Sequence, residues 1–199
     1  MNGSEFGERP AILRCGRCGR FVDWQDSRLL VVCGCRPHLE LPPVLVREAS
    51  DSDRIKALEL FRRDFGPAQL VAYGKTVSLD DADALVAETD GEIAGALAWR
   101  PFDGALHILA LATDPMWQRA GVGGYLVAEA ELLARRRNWP RVIAAITNDN
   151  LPALYFYQRR GYRVSGILRD STAAHLPDQR VKGFAGIPIL DEIQLAKNL

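Results

Sequence analysis

The chain has 199 residues, 48% hydrophobic and 25% charged, enough for one well-cored domain of roughly 150 residues plus a small appendage and far from the composition of disordered chains. Lys plus Arg and Asp plus Glu both number 25, so no overall positive excess points to nucleic acid or an acidic membrane as partner. No apolar run approaches the roughly 20 residues of a membrane span, and the N-terminus lacks a secretory pattern, so a cytoplasmic enzyme is the expectation.

Gly3-Ser4-Glu5-Phe6 reads as a cloning remnant and not as part of a folded element. All four cysteines follow within a short span, as Cys15-Gly-Arg-Cys18 and Cys33-Gly-Cys35. Two tight turns that each present two thiolates to one ion make a tetrahedral zinc site, and glycines in and beside the pairs help such turns form. Residues 21–25 and 29–32 read as two strands with a turn at 26–28 between them, a zinc-ribbon-like plan. Two structural disulfides, or thiols that merely pack, are the alternatives, the disulfides being disfavoured where no secretion signal is seen. His38 could replace one cysteine as ligand, although it reads more simply as a linker residue. Four thiolates leave no open coordination position, so the expected Zn2+ is structural and takes no part in catalysis. Arg14, Arg17, Arg20, Arg28 and Arg36 tilt this module basic; a solvated surface accounts for them, and nucleic acid is not the expected partner. The proline-bearing stretch 36–43 reads as a linker, which places a module at residues 1–43 and a main domain at 44–199.

The main domain opens with a strand at 44–47. Ser50, Asp51, Ser52 and Asp53 offer caps to a helix at 54–65, whose Ile55, Leu58, Phe61 and Phe65 mark one face. Strands at 85–88 and 93–99 flank Asp90-Gly91, a two-residue turn that needs positive φ. The apolar run 105–113, broken by His107, suits a central strand covered on both faces. Helical periodicity holds from 123 to 137, with Leu126, Ala130, Leu133 and Ala134 on one stripe and arginines in the last turn. A strand at 142–147 follows, then a helix from Asn150 to Arg160 with Pro152 in its first turn and Gly161 at its end. Two strands, 162–168 and 189–196, bracket a loop of about twenty residues, long enough to suggest function.

The stretch most informative about chemistry runs from Leu111 to Gly124, from a strand through a turn into a helix: LATDPMWQRAGVGG. Glycines allow close approach to a ligand, and the free amides of a helix start favour an anion such as a pyrophosphate. The pattern is neither the dinucleotide fingerprint nor a Walker loop, and the neighbouring strands read as antiparallel. Gln118, Gly121 and Gly123 resemble, in register, the cofactor loop Gln/Arg-x-x-Gly-x-Gly/Ala of the GCN5-related N-acetyltransferase (GNAT) superfamily. A second block, Asn150-Leu-Pro-Ala153-Leu-Tyr-Phe156-Tyr157-Gln-Arg-Arg-Gly161-Tyr162, is similar to that superfamily's Asn-x-x-Ala-x-x-Phe-Tyr-x-x-x-Gly-Phe. The resemblance covers residues 44–199. Within it, residues 147–150 and 186–193 look like a bacterial subgroup whose acceptors are poorly defined.

The resemblance implies an α+β fold, with a mixed, mainly antiparallel central sheet flanked by helices, and an enzyme that moves acetyl from acetyl-coenzyme A to a primary amine of a small molecule or protein by direct attack. Backbone amides of Arg119, Ala120, Gly121, Val122, Gly123 and Gly124, with Gln118, would hold the pyrophosphate. Leu111 and Thr113 would bond the pantetheine arm, and Asn150 would contact the cofactor or shape its channel. Tyr157 sits where the family's tyrosine protonates the departing thiolate; packed as a core aromatic it would do no chemistry. Many members carry a glutamate on the fourth or fifth strand to take the amine's proton, and neither 105–112 nor 142–146 contains a carboxylate. His107 is the candidate base, with an unperturbed pKa near 6.5; Asp191 and Glu192 are further candidates. A competing reading makes the chain an acetyl-CoA sensor or partner-binding module whose zinc element engages protein or nucleic acid.

Overall fold

The computed structural model describes residues 22–25, 28–31, 43–66, 69–118, 120–175 and 181–199. β1 (Val22–Gln25) and β2 (Arg28–Val31) pair antiparallel, Val22 opposite Val31 and Gln25 opposite Arg28, so only residues 26 and 27 join them. This is the hairpin expected between the two cysteine pairs. Cys15, Cys18, Cys33 and Cys35, with His38, lie outside the described residues.

Seven strands form one sheet in the order β10-β11-β9-β8-β7-β6-β3. β3 (Leu45–Glu48) leads into α1 (Asp51–Phe65), which starts three residues earlier than the sequence pattern gives because Ser50 is the cap. The Ser50 amide donates to Asp53 Oδ2 at 2.8 Å, which satisfies one of the amides at the helix start. The expected apolar face of α1 needs correction: Ile55 and Phe65 are exposed, and the buried stripe is Ala57, Leu60 and Phe61. Their i, i+3, i+4 spacing, with alanine at the close approach, lets the helix lie flat on the sheet.

The sequence reading did not foresee the next element, a hairpin of β4 (Gln69–Ala72) and β5 (Lys75–Ser78) turning at Tyr73 and Gly74. β6 (Asp83–Thr89) and β7 (Glu92–Phe102) turn at Asp90 and Gly91, both at positive φ as expected. A second turn of this kind, Asp103-Gly104, joins β7 to β8 (Ala105–Thr113). α2 (Val122–Arg136) buries Leu126, Ala130, Leu133 and Ala134, the stripe expected of it, together with Val122 and Val127. After it come β9 (Arg141–Thr147), α3 (Leu151–Gln158), β10 (Arg163–Leu168) and β11 (Glu192–Asn198), the last beginning three residues later than expected.

Every neighbouring pair in the sheet is antiparallel except β8 and β9, which run parallel, contrary to the antiparallel surroundings read for the Gly-bearing loop. The parallel step follows from connectivity, because α2 crosses back between β8 and β9. One face of the sheet packs against α2 and α3 through Leu97, Leu106, Leu126, Leu133, Val142 and Tyr162. The opposite face is covered by α1 and the β4–β5 hairpin through Phe61, Ala72, Val77, Ala96, Ala98 and Ala110. Among the described residues no helix is long and apolar enough to cross a membrane.

Candidate active site

β8 and β9 are paired only from Ala105–Ile108 to Arg141–Ala144, although β8 continues to Thr113 and β9 to Thr147. The break coincides with a bulge. On the other side of β8 the register moves from Trp99 opposite Ile108 to Ala98 opposite Ala110, so Leu109 is an extra residue. A bulge bends its strand and takes a peptide out of the ladder. Beyond it the two strands part into a cleft, whose edges carry backbone amides and carbonyls able to bond an extended, amide-bearing ligand.

The start of α2 lies beside this cleft. Gly121 holds its N-cap at φ 93, a left-handed conformation that favours glycine. A Cβ on Gly123 would stand 3.6 Å from Leu111 and 3.6 Å from Phe156, so the first turn of α2 touches the parted stretch of β8 and the flank of α3. Of the amides here, Gly124 donates to the Gly121 carbonyl at 2.8 Å, whereas those of Val122 and Gly123 have no acceptor among the described residues, as is usual at a helix start. Val122 buries its side chain in the core and keeps its amide for a ligand, while Ala120 packs against the core and donates its amide to the Trp117 carbonyl at 3.2 Å. The Gln118 side-chain amide donates to the Thr113 carbonyl at 3.4 Å, and Arg63 donates to the same oxygen at 2.8 Å, so Gln118 staples the loop to the end of β8. Asn150 caps α3, its Oδ1 accepting from the Ala153 amide at 3.1 Å. Arg119 lies outside the described residues.

Arg160 completes this corner, and no motif pointed to it. Its guanidinium lies 3.6 Å from the Phe156 ring centroid, donates to the Phe156 carbonyl at 3.0 Å and reaches to Gly124. Burial lowers its pKa, and it makes no salt bridge among the described residues. A cation set against the positive end of a helix favours an anion between them.

Two phenols lie on opposite faces of the central strands. Tyr157, on α3, is buried between Phe156 and Tyr162, with ring centroids 5.1 and 5.2 Å away. Its hydroxyl has no hydrogen-bond partner among the described residues, and burial raises its pKa, so the phenol keeps its proton. Tyr73, at the tip of the β4–β5 hairpin, reaches in from the other face. Its hydroxyl lies 2.8 Å from the Ile108 carbonyl and 3.1 Å from the Ile143 carbonyl, at the last paired positions. Burial raises its pKa, and Tyr157 and Glu192 add to the rise by charge repulsion.

The candidate bases fall differently. His107 lies on the closed side of this vertex, edge-on to Tyr73 at 4.5 Å and to Phe102 at 5.5 Å, with a buried Nε2 that has no partner among the described residues. Burial first, then the charge of Arg141, lowers its pKa, so the ring is neutral at pH 7. Glu192 is buried and accepts from the Gly74 amide at 3.1 Å and from Gln194 at 2.9 Å. Asp191 accepts from the Asp170 amide at 2.9 Å and secures a turn. The segments 147–150 and 186–193 meet in space: Asn148 accepts from the amides of Leu190 and Asp191 and donates to the Pro188 carbonyl. Among the described residues no group of His, Cys, Asp and Glu could hold a metal ion.

Known proteins match this architecture. The model of the acetyltransferase (GNAT) family matches residues 49–162. Protein YxbD of Bacillus subtilis (strain 168) is 32% identical over 143 residues, 70% of this chain and 89% of that protein. Its companion YdhI, from the same strain, is 28% identical over 70% of this chain and 88% of its own length. The solved IAA acetyltransferase from Bacillus cereus ATCC 14579 superposes with a TM-score of 0.62 at 20% identity, covering 79% of this chain and 100% of that one. A GNAT family acetyltransferase from Elizabethkingia anophelis, solved with acetyl-CoA bound, gives 0.58 at 18% identity over 78% of this chain and 98% of that one. The parted central strands, the glycine-led helix beside them and these matches together place the chain in the GNAT acetyltransferase family.

Proposed function

We propose that the protein transfers acetyl from acetyl-coenzyme A to a primary amine of a small molecule or protein by direct attack. The observation that carries this is the cleft between β8 and β9, which opens beside the first turn of α2, with Tyr157 of α3 in the core cluster on that face. The residues fit the cosubstrate. The amides of Val122 and Gly123, with Arg160 nearby, suit its diphosphate, and the main chain at Leu111 and Thr113 suits the pantetheine amides. Gln118 and Asn150 serve this site by holding the loop and α3 in place.

In the reaction the amine lone pair forms the C–N bond at the thioester carbonyl, and the C–S bond breaks. Tyr157 donates its proton to the leaving thiolate and regains the one that the attacking nitrogen sheds, while His107, which stands behind Tyr73, takes the ammonium proton through water. A lysine-type amine, with a pKa near 10.4, must lose a proton before it attacks. Neutral His107 can take one. A thiol-release assay with acetyl-CoA across a panel of amines tests the proposal. Release stimulated by at least one amine supports it, and tight acetyl-CoA binding without release for any amine points to a sensor.

We also propose that Cys15, Cys18, Cys33 and Cys35 hold one structural Zn2+ in a module of residues 1–43, ahead of the transferase domain at 44–199. The β1–β2 register supports this: Val22 lies opposite Val31, so the chain enters and leaves at one end of the hairpin, with Cys18 four residues before and Cys33 two residues after. Thiolate coordination suits a reducing compartment such as the cytoplasm. Metal analysis should give one zinc per chain, and four free thiols in a zinc-free folded protein would remove the site.

A further inference from the structure

The sequence motifs account for one wall of the cleft; the other is built by the β4–β5 hairpin, which no motif covers. Its tip is fixed at two places. The Gly74 amide is bonded to Glu192, which pairs with Thr147 at the open end of β9, whereas the Tyr73 hydroxyl reaches back to Ile108 and Ile143, where pairing resumes. The phenol ring therefore lies along the gap between the parted strands, on the face away from α3. The hydroxyl therefore stands between β8 and β9 at the end of their paired stretch. Tyr73 holds φ 58, a conformation uncommon for a large residue and maintained here by these contacts.

This placement bears on the acyl donor. A thioester that runs along the gap between the parted strands toward their last paired positions has its acyl group at the vertex, where the Tyr73 hydroxyl meets the Ile108 and Ile143 carbonyls. Behind it stands the His107 ring, edge-on to Tyr73 at 4.5 Å and to Phe102 at 5.5 Å, so an extending chain meets aromatic side chains. We propose that Tyr73 is a specificity-determining residue that limits the acyl group to acetyl or a similarly short chain, by filling the vertex of the cleft with its ring. The proposal rests on the acetyl-coenzyme A reading above and assigns the ring a steric task, with no part in proton transfer.

The test uses binding, so it needs no knowledge of the acceptor. Calorimetry with coenzyme A and its acetyl, butyryl and hexanoyl thioesters should show, for the wild-type chain, affinity at least about tenfold weaker for hexanoyl than for acetyl, the scale on which apolar pockets discriminate added methylenes. Tyr73→Gly tolerates the left-handed backbone and removes the ring; it should compress that ratio to below about threefold with coenzyme A affinity unchanged. Tyr73→Ala is a second opening variant, and melting curves report whether each is folded. Tyr73→Phe keeps the ring and should keep the discrimination. Equal binding of acetyl and hexanoyl thioesters by the wild-type chain would overturn the proposal without any variant, as would loss of discrimination in Tyr73→Phe or its full retention in folded Tyr73→Gly or Tyr73→Ala. If the wild-type chain bound coenzyme A and none of its thioesters differently, the cosubstrate reading would stand and the ruler would fall. Absence of any coenzyme A binding would remove the parent reading first.

Discussion

The α2/α3 face and the α1/hairpin face of the sheet meet at one cleft, but they build it from different materials. On the first, the wall is main chain: a glycine-started helix, a bulged strand and a single phenol from α3. On the second it is side chain, with Tyr73, His107 and Glu192 packed against a short hairpin. A main-chain wall suits a ligand that never varies, because it leaves few positions free to change. A side-chain wall is where chains of one fold can differ in acyl group and acceptor.

The largest effect should come from the first face. Gly123→Glu introduces a carboxylate where an anion must sit, and Gly123 has no left-handed φ to protect, so the fold should survive while acetyl-CoA affinity falls by at least about a hundredfold. Gly121→Glu is a poorer probe, since φ 93 there adds strain of its own. Calorimetry on folded variants checks this, and unchanged affinity would put the cofactor elsewhere. Next is Tyr157→Phe, which should lower turnover at least about tenfold and leave acetyl-CoA affinity nearly unchanged. Wild-type turnover in an assay limited by chemistry would leave Tyr157 as a packing residue.

What the sequence made legible follows the same division. The glycine loop and the Asn150 block were readable because a phosphate-binding helix start and a helix cap demand particular residue types at fixed spacing. Asp90-Gly91 declared its turn, whereas Tyr73-Gly74 did not, because a tyrosine at positive φ is held by tertiary contacts that no local pattern reveals. The α1 face was misread for a related reason. Ile55 and Phe65 are the larger apolar residues, but Ala57 permits the closer approach to the sheet. Arg160 was passed over because its meaning depends on Gly124, distant in sequence and adjacent in space.

Smaller effects sharpen the second face. Glu192→Ala strands the Gly74 amide, which should cost about 1–3 kcal/mol of stability. Glu192→Gln keeps an acceptor and should cost less. Equal melting temperatures for the wild-type chain and Glu192→Ala would show that the carboxylate does not anchor the hairpin. The smallest signal is a pH dependence from His107. Its folded pKa lies below the unfolded value of 6.5, so the unfolded chain binds more protons between the two. Stability is intact above pH 6.5 and declines as pH falls from there toward the folded value, and His107→Gln should flatten that decline. If His107 also takes the amine's proton, the rate should be level above pH 7 and fall only below 6.5. A midpoint above 7 would assign that proton to another group.

The central claim is that acetyl-CoA lies between the parted ends of β8 and β9 with its diphosphate on the first turn of α2. Hydrogen exchange followed by mass spectrometry, with and without saturating acetyl-CoA, addresses it directly. Amides in residues 109–113, 120–124 and 145–147 should exchange more slowly in the complex, while those of the β1–β2 hairpin should not change. Binding that protects other segments and leaves these three unchanged would contradict the account.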